Sequence, residues 1–295
     1  MVKNYTFYKK WGKFGTAADG VKRFYQPYGV AVDPYDDVYV SDFGNDRIQK
    51  FSNNGIFIKE WGKHGSADGE FIFPTDISVD FNKQEVYVSD RDNWRIQVFD
   101  LDGNYSRKWG QQGSADGEFI APWGIAIDPT QIDNVFVTDA GNNRIQAFDR
   151  GGMFKSKLGK YGHKSGQFSG PYRLAIDRQG DVYVVDSVNK RVQKFTNNGS
   201  FIIEWGGFGS SNNQFLGPFG IIIDPYDNVF VTDAPGGKVK IFDNSATFIT
   251  EFPTLGSATG QLDWPTGIAL DSDQKVYIAD TINHRIQVFR ESESV

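Results

Sequence analysis

The side chains in this 295-residue chain with the means to do chemistry are few, and most of them recur. Six aspartates, Asp42, Asp90, Asp139, Asp186, Asp233 and Asp280, each precede a basic residue by five positions, five times an arginine. A single Asp–Arg pair of this kind would read as an acid–base couple. Six copies read as architecture, because an Asp at a strand end bonds loop amides and meets an Arg across a hairpin. A second series, Asp33, Asp80, Asp128, Asp177, Asp224 and Asp271, has the composition of turns, with proline often following. The three histidines, His64, His163 and His284, lie in different repeats. There is no cysteine, so no disulfide framework or thiolate metal site forms. No HExxH, G-x-S-x-G elbow or phosphate-cradling loop occurs. An all-oxygen calcium site near the axis, built from Asp side chains and carbonyls, stays open.

The elements that must position these residues follow from an internal repeat. Pro27, Pro74, Pro122, Pro171, Pro218 and Pro265 each precede an apolar run, at spacings of 47, 48, 49, 47 and 47 residues. Further runs follow within each repeat, such as Val38-Tyr-Val-Ser-Asp42 and Arg47-Ile-Gln. They are short, rich in Val, Ile, Tyr and Phe, and bounded by Gly, Asn, Asp and Pro, which predicts strands. Asn54-Gly55, Asp102-Gly103, Gly151-Gly152 and Asn198-Gly199 suit two-residue hairpins between the third and fourth runs. Each repeat is therefore a four-stranded antiparallel meander, A to D. Such a sheet, apolar on both faces, is buried by radial stacking. The predicted fold is all-β: a single six-bladed β-propeller domain over residues 1–295. The sixth repeat (about 265–290) lacks a fourth strand, and residues 5–12 match one, so the N-terminus should complete the last blade.

The stretch Val276-Tyr-Ile-Ala-Asp280-Thr-Ile-Asn283-His284-Arg285-Ile-Gln-Val-Phe289 resembles the NHL repeat. Asn-x-Arg-Ile-Gln returns with small changes in five of six blades, so the resemblance covers nearly the whole chain. It implies the propeller fold and leaves function open among RNA-binding domains, protein-interaction modules, sensor domains and a metal-dependent amidating lyase. His284 occupies a position resembling one where the lyase-like relatives carry a zinc ligand. The other blades place Asp46, Trp94, Asn143, Lys190 and Gly237 there. One ligand does not make a zinc site.

In propellers of this kind the D–A and B–C loops share one face, called the top. The two residues after each anchor proline border the central opening there: Tyr28-Gly29, Thr75-Asp76, Trp123-Gly124, Tyr172-Arg173, Phe219-Gly220 and Thr266-Gly267. Aromatic rings with a few charges make a recognition surface; packed on each other, the same rings plug the channel mouth. The expected contacts are Tyr28, Asp76, Trp94, Trp123, Tyr172, Arg173, Phe219 and His284. The expected function is a non-catalytic scaffold for a protein, peptide or small ligand, with a channel-based metal-dependent lyase or hydrolase and single-stranded RNA binding as alternatives. A net charge of −6 and mixed or acidic D–A loops weigh against RNA. No cofactor, no membrane insertion and a monomer are expected, and the compartment stays open.

Overall fold

A computed structural model describes residues 4–130 and 133–292. Six four-stranded antiparallel sheets stand around one axis, each pairing its strands A-B-C-D, in sequence order in the first five. Blade one comprises Pro27–Val32, Val38–Asp42, Arg47–Phe51 and Phe57–Trp61. In blade six, Pro265–Leu270, Val276–Asp280 and Arg285–Glu291 are completed by Tyr5–Trp11, paired antiparallel from Tyr5↔Glu291 to Trp11↔Ile286. The first and last parts of the chain thus share one sheet, as the unpaired sixth repeat predicts.

The interior lies between blades. Val30, Val32, Val38 and Val40 of blade one pack with Ala269, Tyr277, Ala279 and Ile286 of blade six and with Trp11. The alternate residues Ala31 and Tyr39 face blade two with Ile77, Val86 and Val88. This is the period-2 pattern of a strand buried on both faces. Trp11, Trp61 and Trp109, closing strand D, each lie over the C–D hairpin glycine of the next blade, Gly55, Gly103 and Gly152. These glycines hold φ of +72° to +91°, and a Cβ there would come within 2.8 Å of the indole.

The repeated Asp–Arg pair ties each D–A loop to its blade. Asp90 accepts hydrogen bonds from Arg95 Nε (2.7 Å), Asn93, Gln97 and the Ile72 amide. Arg95 then donates to the Ser66, Ala67 and Glu70 carbonyls. Blades one, three, four and six share the Asp–Asn–Arg–Gln motif. Blade five replaces it: Lys240 Nζ reaches the Ser211 and Gln214 carbonyls, and Lys238 pairs with Glu251. Each loop is also pinned by a side chain at 0% exposure: Phe24, Phe71, Phe119, Phe168, Phe215 or Leu262. Loop tips are therefore held on a rigid frame.

Candidate functional site

The central opening differs at its two ends. At the top, Tyr28, Trp123, Tyr172 and Phe219 meet over the axis. Trp123 stacks on Tyr172 (centroids 4.7 Å), Tyr172 lies 5.0 Å from Phe219, and Tyr28 lies 5.6 Å from Phe219. Phe43 stacks on Tyr28 at 4.4 Å and on Phe73 at 4.8 Å. The Arg91 guanidinium sits about 5 Å from the rings of Phe43, Phe73 and Trp123 and bonds Asp92 through Nε at 2.6 Å. A cation over three ring faces adds electrostatic attraction to the packing. The rings close the mouth.

Beneath them, Asp76 of blade two and Arg173 of blade four form a buried ion pair across the axis. Arg173 Nη2 also donates to the carbonyls of Thr75 (2.8 Å) and Tyr28 (3.1 Å), and Asp76 accepts the Ile125 amide (3.1 Å). Burial pushes the Asp76 carboxyl up, and the Arg173 guanidinium opposes this. The charged groups of this pair are therefore spent on each other and on the backbone. In the other four blades the position is glycine, because neighbouring strands nearly touch: a Cβ at Gly220 would lie 2.0 Å from the Thr266 carbonyl oxygen.

Below the ion pair the channel widens into a cavity of about 700 Å³ whose lining runs from Asp76 and Arg173 down to the A–B turns. Strand A of each blade contributes an upper and a lower aliphatic side chain, such as Ile125 and Ile127 or Ile221 and Ile223. The upper set is buried, the lower set is mostly half-buried, and of the turn residues beneath, Phe81, Pro129 and Arg178 are exposed while Asp33, Asp177, Asp224 and Asp271 are buried. The bore is thus blind at the top and open at the bottom. The two residues after the anchor prolines identify the closed end; nothing in their pattern marks the open one.

The remaining expected contacts lie outside the plug. Trp94 takes a left-handed conformation (φ 52°) and packs, half-buried, against the blade two–three core. His284 has the same conformation (φ 54°), and its Nδ1 accepts the Gln26 amide at 3.1 Å. The equivalent Asp46 and Asn143 accept the Phe73 and Gly170 amides at 2.7 and 3.0 Å. The position is a latch from one blade to the loop of the next. Burial lowers the His284 pKa, consistent with a neutral ring accepting at Nδ1. His64 bonds Asp46 and His163 bonds Asn189, so the histidines do not converge. Among the described residues no group of three His, Asp or Glu side chains could hold a metal ion.

On the top face, exposed residues that sequence reasoning did not single out sit at the D–A loop tips. Position three after strand D is Phe14, His64, Gln112, Tyr161, Phe208 and Leu255. Phe14, Tyr161, Phe208 and Leu255 stand on four consecutive connections, three-to-four through six-to-one, and are 54–74% exposed. Tyr25, Trp264, Val188 and Ile282 add exposed apolar surface to the same arc. Lys13, Lys160, Lys164 and Lys190 border it, whereas the His64 and Gln112 loops carry Asp68, Glu70, Asp116 and Glu118. A comparison of the six equivalent tips finds this arc; the repeat consensus hides it.

Comparison with known proteins agrees with the architecture. The NHL repeat pattern matches residues 24–51, 168–195 and 262–289, and a family described as 6-bladed beta-propeller matches residues 81–149. This chain carries NHL repeats in a six-bladed propeller. Protein brain tumor of Drosophila melanogaster is 34% identical over 73 residues, 25% of this chain and 7% of that protein. Peptidyl-glycine alpha-amidating monooxygenase B of Xenopus laevis is 41% identical over 64 residues, 20% of this chain and 7% of that protein. The NHL propeller thus aligns with a small fraction of these curated relatives' length. Among solved structures, a Bacteroides thetaiotaomicron protein of unknown function superposes with TM-score 0.75 at 16% identity, covering 98% of this chain and 76% of that one. A streptogramin B lyase gives 0.66 at 14% identity, covering 97% and 98%. At these identities the likeness shows the fold alone. Among the described residues no helix is long and apolar enough to cross a membrane.

Proposed function

We propose that this NHL propeller is a non-catalytic docking scaffold whose top face binds a protein partner. The observation that carries the reading is the arc of exposed Phe14, Tyr161, Phe208 and Leu255 on four consecutive loop tips, against polar His64 and Gln112 on the other two. Apolar rings held on rigid loops offer buried contact area at little entropic cost on binding. The half-exposed edges of Tyr28, Trp123 and Tyr172 supply the inner border of the same surface. The bordering lysines favour a partner with an acidic rim around an apolar segment, so that charge orients the encounter. Asp76, Arg173 and His284 act indirectly, by holding the plug and the loops in place.

The test is a pair of double variants of the intact chain measured against one purified partner. Tyr161→Ser/Phe208→Ser is expected to weaken binding by at least tenfold, and His64→Ser/Gln112→Ser to leave it within twofold. Equal loss in both, or none in the first, would overturn the assignment of the surface.

A further inference from the structure

The docking face leaves the lower half of the molecule without a role, and that half contains the axial cavity. A volume of about 700 Å³ falls within the range of pockets that enclose whole small molecules, roughly 300–1,000 Å³. Strand A from Val30 to Pro34 gives the bore a length of about 15 Å at about 3.3 Å per residue. Such a volume over that length is too wide for one extended acyl chain and suits a fused-ring aliphatic skeleton. The bore walls are Val, Ile, Leu and Ala with one serine, Ser78, and the one aromatic ring in the lining, Phe81, lies at the mouth. Filling such a space with alkane-like surface releases water from two tiers of branched side chains.

The mouth selects charge. Of the acidic side chains in the A–B turns, Asp33, Asp36, Asp177, Asp224 and Asp271 line the mouth, against one basic side chain, Arg178. Lys50 and Lys194 reach in from strand C, each to two carboxylates, with Lys50 3.3 Å from Asp33 and Lys194 3.2 Å from Asp177. Arg150 pairs with Asp80 at 2.8 Å, and an acidic surplus remains. Asp36, in the lining, accepts only uncharged donors, the amide and hydroxyl of Ser272. A ring of carboxylates around a low-dielectric bore concentrates cations at its mouth.

We propose that the bore binds a bulky aliphatic amine, taken up from the bottom face with its ring skeleton in the channel and its ammonium among the A–B turn carboxylates. The closed top fixes the direction: the ligand enters apolar end first and stops beneath Asp76 and Arg173. This site and the docking face lie at opposite ends of the channel, so either reading stands or falls without the other.

The probe is tetrahydroabietylamine, compared with tetrahydroabietic acid, which carries a carboxylate on the same saturated tricyclic skeleton. Calorimetry on the intact protein is expected to show one-to-one binding of the amine, at least tenfold tighter than the acid. Asp36→Asn should weaken it several-fold, and Ile127→Trp, which fills the lower tier, should abolish it. Methyl resonances of Ile125, Ile127, Ile221 and Ile223 should shift on adding the amine to the unsubstituted protein, a readout independent of any variant's folding. No binding of the amine, an acid that binds as well, or isoleucine methyls that stay unmoved while the amine binds would each overturn the proposal.

Discussion

At the residue scale, His284 shows how one repeat position serves several side chains. Its Nδ1 does for Gln26 what Asp46 does for Phe73 and Asn143 for Gly170. Only histidine among these loses its acceptor by titrating near neutrality. Because burial depresses its pKa in the folded protein, the unfolded chain binds the proton more readily. The contribution is therefore fully present above the unfolded value of about 6.5. It falls away as pH drops below that and through the lower folded value. His284→Asn should keep the amide bond and remove this component, so urea titrations from pH 7.5 to 5 should converge less steeply for the variant. A slope unchanged by the substitution would show that His284 does not titrate as described. The Asp76–Arg173 pair makes a second residue-scale case. Arg173→Gly leaves a buried carboxylate unpaired and should cost about 3–5 kcal/mol. Asp76→Gly/Arg173→Gly returns both sites to the residue of the other four blades and should recover part of that loss, a coupling read from a double-mutant cycle. Strict additivity would contradict it.

At the element scale, the blades owe their stacking to the aromatic residues that close strand D, and blade three is the exception. Leu158 stands where the other blades have Trp11, Trp61, Trp109, Trp205 or Phe252. Beside it lies a cavity of about 110 Å³, lined by Phe136, Ile145, Val182, Phe195 and the hairpin glycine Gly199. Leu158→Trp should fill it and stabilise the protein by about 1 kcal/mol, seen as a raised midpoint in denaturant. A lowered midpoint would mean that the surrounding strands have already closed on leucine. Trp11→Ala should instead cost about 3–5 kcal/mol, since the indole joins the strand that closes the ring to blade one. The strand pattern, the six prolines and the spare N-terminal strand made this architecture readable in sequence, because period-2 burial and hairpin glycines are local signals. The loop anchors Phe71, Phe119 and Phe168 are hidden from the sequence because each lies in a Gly- and Ser-containing stretch with the composition of a surface loop, and Phe24 because it lies among charged and polar residues. Their burial depends on the Asp–Arg–Gln network folding the loop back over its blade. The four axial aromatics were legible as residues near the channel. Whether they faced solvent or one another depended on Phe43, Phe73 and Arg91, which three separate blade connections bring together.

At the scale of the whole molecule, near-sixfold repetition makes any departure informative. The frame repeats its hydrogen bonds blade after blade, while the loop tips do not repeat their side chains. Four of the six loop tips are apolar with a basic border; the other two are polar and acidic. The same symmetry breaking sets the two ends of the channel apart, with a plug of stacked rings above and an aliphatic bore open below. The central claim, that one arc of the top face meets a protein partner, can be tested with the symmetry as its own control. A photo-reactive phenylalanine analogue is placed in turn at positions 14, 64, 112, 161, 208 and 255, and the adducts formed in cells that express the protein are quantified. Competition with excess unmodified protein separates specific adducts from chance ones. The account predicts competable adducts from positions 14, 161, 208 and 255 and none above background from 64 and 112. Adducts spread evenly over all six, or confined to 64 and 112, would contradict it.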